Sequence, residues 1–133
     1  MAKRCATQFL DGALNIIKTG ITGIGPANLM VILTAEPTTF VEANATFRLA
    51  GVAMAGADFT LANGDGVGTT PRKSTMTAKS AVAIATSGTA NHVALIDTVN
   101  SLVLEVTTCT SQVLTSGGTV NIPAWKIEIG APT

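Results

Sequence analysis

ANHVALIDTVNSLVLEVTTC, residues 90 to 109, is the stretch whose reading decides the fold. Val93, Ala94, Leu95 and Ile96 form one apolar run. Leu102 to Val106 forms a second, interrupted only by Glu105. Asp97-Thr98-Val99-Asn100-Ser101 lies between them, rich in residues that bond their own backbone and favour turns. The runs are short and β-branched, which favours strands over a buried helix. Both are too continuously apolar for a hairpin with one wet face. The pair is therefore predicted in the middle of a β-sandwich or barrel, covered on both sides.

Working back from this pair, Thr86-Ser87-Gly88-Thr89 reads as a turn and Val82 and Ile84 as part of a strand. From Arg72 to Lys79, Lys73, Thr75, Thr77 and Lys79 alternate with Ser74, Met76 and Ala78, and the lysines suit an exposed edge. Asn63-Gly64-Asp65-Gly66-Val67-Gly68 is the strongest turn signal, and Asp58 to Ala62 alternates before it. Thr46 to Leu49 begins a strand, while Ala50 to Ala57 carries no clear pattern. Phe40 to Asn44 reads as a short helical turn, and Leu29 to Thr34 as a strand ended by Glu36-Pro37. Residues 5 to 19 are the one helix, with Phe9, Leu10, Ala13, Leu14 and Ile17 on one face, Thr7 as N-cap and Thr19-Gly20 as stop.

Beyond Cys109, Ser116-Gly117-Gly118 makes a turn, and Val120, Ile122 and Ala124 alternate around Asn121 and Pro123. Pro123 cannot donate to a ladder and marks an edge or bulge. Trp125, Ile127 and Ile129 alternate with Lys126 and Glu128 in a closing strand with one buried face. The expected fold is mainly β, a single-domain β-sandwich or flattened barrel of seven to nine strands with one N-terminal helix. Residues 1–28 form an arm, helix and glycine-containing connection, and residues 29–133 the sandwich. The predicted core holds Val31, Val93, Leu95, Leu102, Leu104, Val106, Trp125 and Ile127.

Composition narrows the function classes. The 133 residues carry 8 basic and 8 acidic side chains, so no electrostatic footprint for nucleic acid appears. Charged residues make up 12% and mean hydropathy is +0.45, yet no apolar run is long enough for a membrane helix. Apolar surface in excess is expected in a subunit interface. Asp11 and Asn15 break any signal-peptide core behind Lys3 and Arg4, so use without secretion is expected.

Motifs for chemistry are weak. Gly20-Ile21-Thr22-Gly23-Ile24-Gly25 has the wrong order for a phosphate loop, and no Lys-Ser/Thr pair follows. The loop at Asn63 to Gly68 lacks the closing glutamate of a calcium site. Cys5 and Cys109 are not clustered as zinc ligands are, and read as reduced, largely buried thiols, a bond between them being the alternative. Alternation sets the one histidine, His92, on the face opposite Asp97, and no nucleophile elbow exists. No two carboxylates are brought together by spacing, and no tyrosine accompanies the few aromatics. A non-enzyme without catalytic, cofactor-binding or metal-binding residues is expected.

Three islands carry a family resemblance: FLDGALNIIKTG with LTAEPTTFVEA; FTLANGDGVG with RKSTMTAKS; and SGTANHVALIDTVNSLVLEVTTCTSQVLTSGGTVNIPAWKIEIGAP. On these the chain resembles small tailed-bacteriophage virion proteins often encoded beside the major capsid gene. Gly20 to Asn28 departs from the pattern. The resemblance implies a structural virion protein, a head decoration or cement protein assembled in the host cytoplasm onto the head surface. Its implied partners are the major capsid protein and further copies of itself, a trimer being expected, with neither nucleic acid nor membrane. The first 19 residues would be the reaching element, swung by the glycines, or else a lid on the sandwich. A tail or fibre component is the alternative. A carbohydrate-binding β-sandwich is a third reading, weakened by the scarcity of aromatics for stacking on sugars.

Overall fold

The computed structural model describes residues 6–64 and 72–130. Its elements in chain order are α1 (Thr7–Thr19), β1 (Leu29–Leu33), β2 (Arg48–Ala53), β3 (Phe59–Asn63), β4 (Arg72–Met76), β5 (Lys79–Ala83), β6 (Gly88–Asp97), β7 (Leu102–Leu114), β8 (Thr119–Ile122) and β9 (Trp125–Ile129). Among the described residues strand accounts for 52% and helical conformations of all kinds for 19%, so the chain is mainly β with one N-terminal helix. A four-stranded antiparallel sheet runs β2-β1-β6-β7; a three-stranded sheet runs β3-β4-β9, and β5 pairs with β8.

The continuous apolar runs of β1 and β6 have the expected cause, burial on both faces. On one face Met30, Ile32, Val93 and Leu95 pack with Phe59, Met76, Val82, Val120 and Ile122 from the smaller sheets and with Ile84 just after β5. That is the interior of the sandwich. On the other face Val31, Leu33, Ala94 and Ile96 pack with Ala43, Phe40 and Phe47. The cover there is the segment around a π-helical turn, Glu42–Thr46. Glu42 fastens this turn, its carboxylate accepting from the Thr38 N–H at 2.7 Å and the Thr39 N–H at 3.1 Å. The Glu42 N–H in turn donates to the Thr39 hydroxyl at 3.2 Å. Thr39 and Glu42 thus form a capping box, a spacing visible in the sequence.

Several expectations are corrected. Leu102, Leu104 and Val106 are half-buried, because β7 is an edge strand with a neighbour on one side only. Trp125 and Ile127 are half-buried for the same reason, since β9 ends its sheet. The run from Arg72 to Lys79 is not one edge strand. It breaks at Thr77-Ala78, and β4 lies at the centre of its sheet. Lys73 stands opposite Glu128 across that sheet, a cross-strand charge pairing instead of an edge guard. Ala6, not Thr7, occupies the N-cap position of α1, without a side-chain cap. On α1, among the described side chains, only Leu10 and Leu14 are buried, with Ile17 half-buried against the core; Phe9 is 72% exposed.

The connection after α1 is fastened. Gly20, at φ 72°, stops the helix with its N–H on Ile16. Ile21 and Ile24 form a bridge, the Ala27 N–H donates to the Ile17 carbonyl at 2.8 Å and the Asn28 N–H to Ile96 at 3.1 Å. The Asp11 carboxylate binds Arg72 through two hydrogen bonds, of 2.6 and 3.1 Å, which hold α1 against β3 and β4. Of the two expectations for the helix, these contacts support the lid and not a swinging arm. Lys3, Arg4 and Cys5 lie outside the described residues.

The burial contrast gives a direct check by chemical denaturation. Leu95, 0% exposed, should lose about 2–5 kcal/mol on Leu95→Ala, in the range for filled cores. Half-buried Leu104 should lose distinctly less on the same change, and equal losses would contradict the placement of β7 at the edge.

Candidate binding groove

The chemistry-bearing residues named from sequence are held apart. Asp97 is fully buried at the end of β6 and its carboxylate is occupied. It accepts from the Gly25 N–H at 2.7 Å, the Asn100 side chain at 2.6 Å, the Val99 N–H at 2.9 Å and the Asn100 N–H at 3.3 Å. A Cβ on Gly25 would stand 2.6 Å from that carboxylate, so glycine is required for the approach. Gly20 and Gly25 of the connection therefore serve a helix stop and this contact, not a phosphate loop. His92 Nδ1 lies 2.6 Å from Asn91 Oδ1, and no hydrogen bond joins it to Asp97. Among the described residues no group of three His, Cys, Asp or Glu side chains could hold a metal ion. Gly64 to Gly68, the calcium-like loop, falls outside the described residues beyond Gly64 itself.

Two carboxyls are shifted in opposite directions. Burial alone would raise Asp97, but the hydrogen bonds from Asn100, Val99 and Gly25 together outweigh it and hold the carboxyl below its ordinary value. Glu105 is half-buried on β7, and burial pushes it up. It faces Leu95 across the strand pair, on the inner side of the sheet. An inward charge of this kind discourages a second sheet from adding to an edge strand.

Among the described residues, two adjoining hollows lie on the flank where the sandwich is open. The opposite flank is closed. Ile84 bridges to Ala50, and the Ala85 and Thr86 N–H groups both donate to the Leu49 carbonyl, at 2.9 and 3.1 Å. No such bonds join β7 to β8 or β9 among the described residues. Instead β7 bulges: Ala90 pairs with Gln112 and His92 with Thr108, so three residues of β7 face Asn91 alone. Across the gap Pro123, which has no N–H, separates β8 from β9.

Between these walls run two adjoining hollows of about 340 and 260 Å³. They share Val93, Cys109, Thr110 and Pro123. The first extends to Thr107, Ile122, Trp125 and Lys126, the second to Ile32, Ala90, Gln112 and Val120. Lys126 is paired with Glu128 at 2.7 Å. Burial pushes the Cys109 thiol up, away from the thiolate that would make it a nucleophile. The lining is mostly apolar. Trp125, expected in a closed core, is a wall of it. No sequence signal marks the bulge; Pro123 is the one residue whose chemistry pointed here.

No protein-family model matches the chain, and neither the curated proteins nor the solved structures contain a match. Among the described residues no helix is long and apolar enough to cross a membrane.

The two carboxyls should be separable in pH-dependent unfolding. The Asp97 contribution is whole above its ordinary pKa of 3.8 and is lost as pH falls through the lower folded value. Asp97→Asn should cost about 1–3 kcal/mol at neutral pH, because buried donors lose their acceptor, and should flatten the acid limb. The raised Glu105 has the reverse sign. Its contribution is present below 4.5 and is lost as pH rises through the folded pKa. Glu105→Gln should therefore be more stable than the parent at pH 7, and the advantage should vanish in acid. A Gln variant less stable at neutral pH would show that Glu105 has a favourable partner.

Proposed function

We propose that the chain is a structural virion protein of a tailed bacteriophage. In this reading it is a head decoration protein that binds the outer surface of the assembled capsid as a homo-oligomer, a trimer in the first instance, and bridges major capsid subunits. One observation carries the reading. The most specific island of resemblance, which begins at Ser87, builds β6, β7, β8 and β9, and hence both walls of the groove. A cement role needs broad, neutral contact surface on a body that keeps its shape. The largely apolar groove, whose lysine is paired with Glu128, and the tied helix are in keeping with those properties. Fold alone does not assign a role, so the reading stands on the resemblance and on this surface together.

Sedimentation decides it. Purified protein mixed with expanded heads lacking it should pellet with the heads, at a stoichiometry set by lattice sites, and should raise the temperature at which they rupture. Protein that pellets with isolated tails and never with heads would overturn the decoration role in favour of a tail component.

A further inference from the structure

We infer that Asn63 is a site of spontaneous covalent modification: it deamidates through a ring closed with the main chain of Gly64, and the carboxylate so made joins Asp11 on the guanidinium of Arg72. The inference is independent of the virion reading. The step exchanges one water for one ammonia. The Gly64 nitrogen attacks Cγ of Asn63, a Cγ–N bond forms, and the Cγ–Nδ2 bond breaks. Ammonia leaves carrying the proton that the Gly64 nitrogen gave up. Water then opens the succinimide ring on either side, giving aspartate or isoaspartate, whose main chain runs through Cβ. Nothing is oxidised or reduced. Crowding at the attacking nitrogen limits such a closure, and glycine, with no Cβ, crowds it least. Asn63 alone among the asparagines of the sequence is followed by glycine.

The fold leaves the step open at this position. Asn63 is exposed and is the last residue of β3, and Gly64 beyond it belongs to no strand. β3 is an edge of its sheet, held in the ladder by β4 alone, and the ends of such elements open most easily. Asn121 differs, since it lies inside β8 with its Oδ1 holding the Ala81 N–H at 2.9 Å. Asn100 differs too, its amide nitrogen donating to Asp97 at 2.6 Å. At Asn63 the contact is through the oxygen. Arg72 Nη1 donates to Oδ1 at 2.5 Å, and that oxygen stays in the aspartate product while the nitrogen leaves. The new carboxylate is thus made in contact with a cation. Asp11 occupies Nε and Nη2 of the same guanidinium, at 2.6 and 3.1 Å, and Nη1 is the donor turned to residue 63. A guanidinium bonds a charged acceptor more strongly than a neutral amide. The aspartate product therefore tightens the clamp that holds α1 against β3 and β4. The isoaspartate product has a longer main chain and a shorter side chain. It disturbs the last pair of the β3–β4 ladder, Asn63 with Arg72, and draws its carboxylate back from the guanidinium.

The test ages the freshly purified full chain in warm, mildly alkaline buffer, where the attacking nitrogen more readily loses its proton. The formal net charge is zero at pH 7, so each event should appear on ion exchange as a species with one added negative charge. Peptide mass spectrometry should find that species heavier by the exchange of an amide for a carboxyl, with the change at residue 63. Gly64→Ala should slow its formation severalfold. Asn63→Gln, which keeps an amide for Arg72 but needs a larger ring, should give none and carries little risk to folding. The clamp is read separately. Asn63→Asp should unfold at a higher temperature than the parent in low salt at neutral pH, and the gain should shrink in high salt and vanish when Arg72→Gln is added. An Asn63 that survives weeks of ageing, acidic species that map to the other asparagines, or an unchanged rate in Gly64→Ala would each overturn the modification. An Asn63→Asp chain no more stable than its parent, or a gain that persists with Arg72→Gln, would overturn the clamp.

Discussion

The carboxylate of Asp97 is the contact on which the arrangement depends. Fully buried, it gathers the Gly25 connection, the Val99–Asn100 turn and the end of β6 onto one pair of oxygens. An uncompensated charge at that depth would be costly, so its donors must all be in place together. The same junction positions Asn28, whose side chain accepts from the Thr98 N–H and hydroxyl, both at 3.1 Å. β1 then leaves in register with β6, Leu29 opposite Ile96. The helix, the first strand and the central hairpin are thus set relative to one another by one acid and its neighbours.

From there the layers follow. β1 and β6 become the spine because, among the strands described, they alone place buried side chains in both clusters, one formed with the smaller sheets and one with the π-helical segment. The strands at the sheet edges, β7 and β9, are wetter. The closed flank at Leu49 and the open flank at β7 make the sandwich lopsided, and the groove is the result of that asymmetry.

How much of this the sequence discloses depends on the residue. Continuous apolarity in Val93 to Ile96 reports burial on two faces and was legible. The same pattern in Leu102 to Val106 was misleading, because apolarity reports what lies above and below a strand and not whether a strand lies beside it. There Leu104 leans on one cluster while Val103 and Val106 lean on the other, each half covered. Asp97 looked like a turn former, which it is. Its burial depended on Gly25, 72 positions away, and no local pattern shows such a pairing. The groove arises from a bulge, a mismatch in count between two strands, which neither strand carries alone.

The pairing of β4 with β9 has a consequence for how the chain acquires its shape. β6 and β7 meet across one tight turn, so their hairpin can form on the microsecond scale of local structure. β4 must wait for β9, because Met76 pairs with Trp125, and everything between has to be placed first. β1 likewise finds Ile96 only after most of the chain exists. Non-local closure of this kind slows folding and leaves apolar strands uncovered meanwhile. The hairpin is then the template, and the smaller sheets are late arrivals. In that interval the flank beside β7 is not a groove but an entire exposed face, and the bulge and inward Glu105 act as its guards before the fold is complete.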